Sequence, residues 1–224
     1  MRTALFLLAA VGQAYFLWTA VALYRAHRDR YLPIVALALL ALVYDGLTIA
    51  AGGMLGAGPL LCALNTPRFL AHAVITPLLL IFVFGVMRRC GVSWAQSRGA
   101  HATVCLVAVA LVLWGSKTGV LDLSLAPRFD HETVRYVNTA EKGPPIPVIL
   151  VNVLTIVAAI AVGRRTRQYG MLAGSLIMFA LAPQTPRFLA IGNIAEVFFS
   201  YGLISGERTA RRIVLSSGQS AKSA

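Results

Sequence analysis

Seven apolar runs, joined by connections of which alternate ones carry most of the arginines, take up most of this 224-residue chain and dictate what it can become. A helix rising about 1.5 Å per residue needs roughly 20 residues to cross about 30 Å of hydrocarbon. Lipid offers backbone amides no hydrogen-bond partner, so runs of this kind must be helical. They fall at 3–24, 31–54, 67–87, 102–121, 146–163, 168–183 and 187–205, the sixth being the shortest. The sequence therefore predicts an all-α polytopic transmembrane helix bundle over residues 1–215, with an outer loop at 122–145. A small polar tail, 216–224, is expected to be disordered.

Charge supports the same class. Only 12% of the residues are charged, against about 25% in soluble domains, so most of the surface faces something other than water. The net charge of +12 would suggest nucleic acid in a soluble protein. Here the basic residues cluster between apolar runs, as membrane orientation requires, and no nucleic-acid partner is expected.

Alternate connections are unequal. One set carries Arg25, Arg28, Arg30, Arg88, Arg89, Arg98, Arg164, Arg165, Arg167, Arg208, Arg211, Arg212 and Lys222, thirteen in all. The other carries Arg2, Arg68, Lys117, Arg128, Arg135, Lys142 and Arg187, seven in all. The richer side is predicted to be cytoplasmic, which puts the N-terminus outside and the C-terminus inside a cell membrane. The first run reads as a span and not a cleaved leader. It continues to Tyr24, and cleavage would strand Arg25, Arg28 and Arg30 outside.

Thr66-Pro67-Arg68-Phe69-Leu70-Ala71 recurs unchanged at Thr185-Pro186-Arg187-Phe188-Leu189-Ala190. Both copies are expected to open a span from the outer side, the third and the seventh. That suggests a 3+1+3 parallel internal repeat of the kind some transporters use. A shared helix-start signal is the plainer reading, with Thr as cap and Pro in the first turn.

Ionisable groups inside spans are costly, so each marks a function or a pairing. Asp45 lies in the second span. Arg68 and His72 are four apart on the third and share a face, and Asn193 and Glu196, three apart, do so on the seventh. Asn152 stands in the fifth. With Arg187, all map to the outer halves, while the inner halves read as nearly uniform Leu, Val, Ile, Ala and Phe. His72, Asp45 and Glu196 are the candidate catalytic acid–base set. Arg68, Arg187, Asn193 and Asn152 are the candidate substrate-binding groups. With Arg68 and Arg187 placed in first helical turns, the pattern suggests an anionic headgroup and hence an amphiphilic or lipid-like ligand.

Cys62, Cys90 and Cys105 are isolated and imply neither disulfide nor zinc. Asp130-His131-Glu132 are consecutive and read as solvated loop, so no metal site is expected. Nothing in the sequence calls for a cofactor. The seventh span has no lysine for a retinal Schiff base, and no Gly-rich phosphate loop is present. The first expectation is an enzyme or binding protein for an amphiphile, in contact with membrane lipids. A small transporter and a structural membrane subunit are the alternatives. Oligomeric state is not written in the sequence.

Overall fold

The computed structural model describes residues 2–130, 133–141, 143–185, 188 and 190–220. Among them are seven helices: α1 (Arg2–His27), α2 (Leu32–Leu55), α3 (Pro59–Arg89), α4 (Arg98–Ser116), α5 (Ile146–Thr166), α6 (Gly170–Leu181) and α7 (Ala190–Ser220). α1 to α5 are long and apolar enough to cross a membrane, α4 counting the π-helical turn Lys117–Leu121 that continues it. α6 has only 12 residues and runs on into the 3-10 turn Ala182–Gln184. α7 has 31 residues but is diluted by Asn193, Glu196 and Glu207.

The helices α2, α3, α5, α6 and α7 form a ring in which each packs on the next. α1 leans on α2 and α7, and α4 leans on α3. Close approach of α6 to α7 depends on glycine. A Cβ on Gly174 would strike the Phe198 carbonyl oxygen and lie 2.8 Å from the Gly202 Cα.

The expected outer loop contains a hairpin, β1 (Leu125–Asp130) and β2 (Thr133–Asn138), paired antiparallel with Asp130 opposite Thr133. Thr, Val and Tyr favour extended backbone, and β2 holds all three. It lies on α2 and α3, with Thr133 and Tyr136 buried there. Thr133 Oγ1 donates to the Ile49 carbonyl at 2.8 Å, and Tyr136 Oη donates to the Gly58 carbonyl at 3.2 Å. Gly52 admits the strand, because a Cβ there would overlap the Val134 carbonyl. This end of the bundle is called the hairpin end below.

At the opposite, arginine-rich end an ionic clasp ties three segments together. Glu207 of α7 is fully buried and receives Arg89 Nη1 at 3.0 Å, Arg89 Nη2 at 2.7 Å and Arg211 Nε at 2.7 Å. Arg89 Nη1 also reaches Asp29 Oδ2 at 2.5 Å. One guanidinium thus holds the end of α3, the α1–α2 turn and α7.

The structure differs from the sequence reading at three places. α3 begins at Pro59, behind Gly58, and not at 67, so Pro67 is inside the helix. Arg68 therefore stands more than two turns from the helix start, where the terminal dipole does not act. The two copies of the hexapeptide also differ locally. Thr66–Ala71 is wholly helical, whereas Thr185 follows the 3-10 turn, Phe188 is irregular and Ala190 opens α7. Pro186, Arg187 and Leu189 of the second copy lie outside the described residues. Finally, α7 is helical as far as Ser220, and residues 221–224 of the expected tail lie outside the described residues.

Candidate functional site

Asp45 is the pivot of the buried polar groups near the hairpin end. α2 buries it against α3 and α7, and its side chain is 5% exposed. A lone carboxylate there would be prohibitively desolvated, and its oxygens are accordingly partnered. Arg68 Nε donates to Asp45 Oδ1 at 2.6 Å, and Asn193 Nδ2 donates to Asp45 Oδ2 at 3.2 Å. The same Asn193 amide lies 3.4 Å from Glu196 Oε2, so one side chain bridges two carboxylates.

Arg68 is engaged on two sides. Its Nη1 donates a short hydrogen bond to Asn65 Oδ1, and Asn65 in turn donates Nδ2 to the Leu61 carbonyl at 2.7 Å. Asn65 Oδ1 also accepts from the Tyr136 backbone amide at 3.3 Å. The ion pair is thereby joined to the hairpin through one amide. Arg135, on the same strand, is held below the ordinary guanidinium range by burial, with the Arg68 charge adding to the effect.

His72 follows Arg68 by one turn of α3, and its Nε2 lies 3.7 Å from Asp45 Oδ1. That is ion-pair distance but too long for a hydrogen bond. Its side chain keeps 38% exposure where Arg68 keeps 10%. His72 lines a cavity of about 60 Å³ bounded by α2, α3, α5, α6 and α7. The wall is mainly aliphatic, with Leu39, Ile75, Val151 and Phe199 among its residues, and Glu196 and Asn152 share it with His72. Asn152 is 7% exposed, and its Oδ1 has no hydrogen-bond partner among the described residues.

Six expected site residues therefore meet: Asp45, Arg68, His72, Asn193, Glu196 and Asn152. They divide into two layers. Asp45, Arg68 and Asn193 form a hydrogen-bonded network, while His72, Glu196 and Asn152 line the cavity. Arg187 lies outside the described residues, as do His131 and Glu132 of the outer loop. The anion site built on helix-start arginines needs revision: Arg68 is mid-helix, bonded to Asp45 and Asn65, and does not line the cavity.

Other participants escape the sequence reading. Asn65 and Tyr136 join the network from α3 and β2. Ser200 Oγ lies 2.7 Å from Gln13 Oε1 of α1 and 2.9 Å from the Glu196 carbonyl. Gln13, Ser200 and Glu207 carry polarity beyond the expected half of the bundle. Glu196, Ser200 and Glu207 stand at intervals of four and seven residues, which is one face of α7. Gln13 does leave a signal in the sequence, as a lone amide within an otherwise apolar run. Among the described residues no three His, Cys, Asp or Glu side chains are grouped to hold a metal ion. No protein-family model matches the chain, and no curated protein matches it in sequence.

Proposed function

We propose that this chain is a multi-pass protein of a cell membrane that binds an amphiphilic small molecule in its central cavity. The hairpin end is read as outside and the arginine-rich end as cytoplasmic, on the imbalance of basic residues. The observation that carries the reading is the cavity itself. His72, Glu196 and Asn152 stand in an otherwise mainly aliphatic wall, the composition of ligand sites that combine an apolar enclosure with a few polar groups.

The chemistry favoured is acid–base. His72 and Glu196 are the pair that exchanges protons with the ligand, and Asp45 orients the imidazole from behind. Arg68 and Asn65 hold Asp45 in turn and act as positioning residues. Isomerisation, cyclisation or hydrolysis would suit such a site. Transport is the second reading, favoured by the polar face of α7 that continues from Glu196 through Ser200 to Glu207.

Native mass spectrometry of the detergent-purified protein tests the binding claim. A retained amphiphile should be lost in His72→Ala or Glu196→Gln while the α-helical circular dichroism stays unchanged. Retention of the same molecule by both variants would refute the site. Orientation has its own test: a cysteine at Thr166 should resist an impermeant maleimide applied from outside, and its rapid labelling would reverse the topology.

A further inference from the structure

Near the arginine-rich end, α1 and α2 leave an open apolar groove of about 370 Å³ between them. Leu17, Val21 and Tyr24 form its α1 wall, at spacings of four and three that keep them on one helix face. Ala36, Leu37 and Leu40 line the α2 wall, where the small Ala36 leaves room between larger neighbours. From Leu17 to Tyr24 is about 10 Å along the helix, roughly two-thirds of one leaflet's hydrocarbon. The mouth of the groove is basic. Arg25 follows Val21 by one turn on the same face, and the Arg28 guanidinium carbon lies 5.7 Å from the centre of the Tyr24 ring. Both arginines are exposed, and among the described residues no carboxylate comes within 4.0 Å of either. Asp29, the only acidic residue before Asp45, is already engaged. Its Oδ1 accepts from the Tyr31 amide at 2.8 Å and its Oδ2 from Arg89 at 2.5 Å. Arg30 is directed elsewhere, donating Nη2 to Tyr31 Oη at 2.8 Å. The charge of Arg25 and Arg28 is therefore unmatched, unlike that of Arg89 and Arg211, which share Glu207.

We propose that this groove and its rim bind an anionic phospholipid, with one acyl chain between α1 and α2 and the phosphate held by Arg25 and Arg28. The groove runs along two spanning helices, the direction an acyl chain takes in the same leaflet. A guanidinium meets a phosphate through charge-assisted hydrogen bonds, and basic residues beside a span attract anionic lipid. A phosphocholine headgroup would bring its own cation to a rim that is already positive. Each arginine near an anionic headgroup contributes roughly fivefold in affinity. The groove shares no lining residue with the central cavity, so it stands or falls apart from the amphiphile reading.

The test supplies the purified full-length chain in detergent with equimolar dioleoylphosphatidylglycerol and dioleoylphosphatidylcholine and counts bound lipid by native mass spectrometry. The phosphatidylglycerol adduct should exceed the other by at least about tenfold. Arg25→Gln combined with Arg28→Gln should bring the ratio near one. Ala36→Phe keeps both arginines but fills the groove, and should remove the phosphatidylglycerol adduct with the circular dichroism unchanged. Arg164→Gln with Arg165→Gln removes as much charge outside the groove and should leave the ratio as it was. Equal adducts on the unaltered chain, a preference that survives either groove variant, or an equal loss in the Arg164 and Arg165 pair would each overturn the assignment. A second measurement needs no variant. Phosphatidylglycerol should raise the apparent Tm of the unaltered chain, read by tryptophan fluorescence, and inorganic phosphate should not. No rise with the lipid, or an equal rise with phosphate alone, would remove the acyl chain from the site and overturn the proposal.

Discussion

Replacing Arg89 with Gln tests the ionic clasp at the arginine-rich end. Glu207 is fully buried and is reached by two nitrogens of Arg89 and one of Arg211. The substitution removes two of these three bonds and also the 2.5 Å contact to Asp29. Taking one partner from a buried ion pair costs about 3–5 kcal/mol, chiefly because a buried charge is left behind. Arg211 remains on Glu207, and Asp29 is 17% exposed and partly hydrated, so the lower end, about 3 kcal/mol, applies. At about 2–4 °C per kcal/mol for a chain of this size, apparent Tm should fall by about 6–12 °C. The assay is tryptophan fluorescence on heating in detergent, with Arg88→Gln as the neighbouring control expected to move Tm by no more than about 2 °C. Adding Glu207→Gln to Arg89→Gln should recover part of the loss, since the stranded charge is gone. A single Arg89→Gln variant as stable as the Arg88→Gln control would refute the reasoning.

Asp45→Asn or Arg68→Gln alone should lower Tm by several degrees and the pair by less than the sum, read as a double-mutant cycle; strict additivity would separate the two residues. Gly174→Leu should abolish a monodisperse peak in size-exclusion chromatography, because the α6–α7 approach leaves no room for a side chain. Burial pushes the Cys90 thiol up to about 11. Its alkylation at pH 8 should therefore run roughly 200-fold slower than that of a free thiol and rise steeply with pH, as measured by intact mass.

Helix positions are legible in the sequence because apolar length is a strong signal, whereas the α3 start is not. Thr66-Pro67 imitates a helix opening, but Gly58-Pro59 opens the helix two turns earlier. A proline inside a helix is tolerated where neighbours can meet the freed backbone groups. That Arg68 and His72 share a face can be anticipated from their spacing of four, and the short connection between the second and third spans puts Asp45 on the adjacent helix. The extension of this network to Asn65 and Tyr136 cannot be anticipated, since it depends on a hairpin folding back across 71 positions of sequence. The clasp is hidden for another reason. Asp29 and Glu207 sit among so many arginines that a count of flanking charge registers only basicity.

The shortness of α6 bears on the surrounding lipid. Twelve residues at about 1.5 Å give about 18 Å, and the three-residue 3-10 turn adds about 6 Å, still less than about 30 Å of hydrocarbon. In a bilayer of that thickness, a helix this short would be met by local thinning or by headgroups admitted to its end. Met178, in the cavity wall, belongs to that same short helix. A dimple in the leaflet there would bring the polar ends of lipids down to the level of the cavity, sparing an amphiphile the crossing of a full half-bilayer.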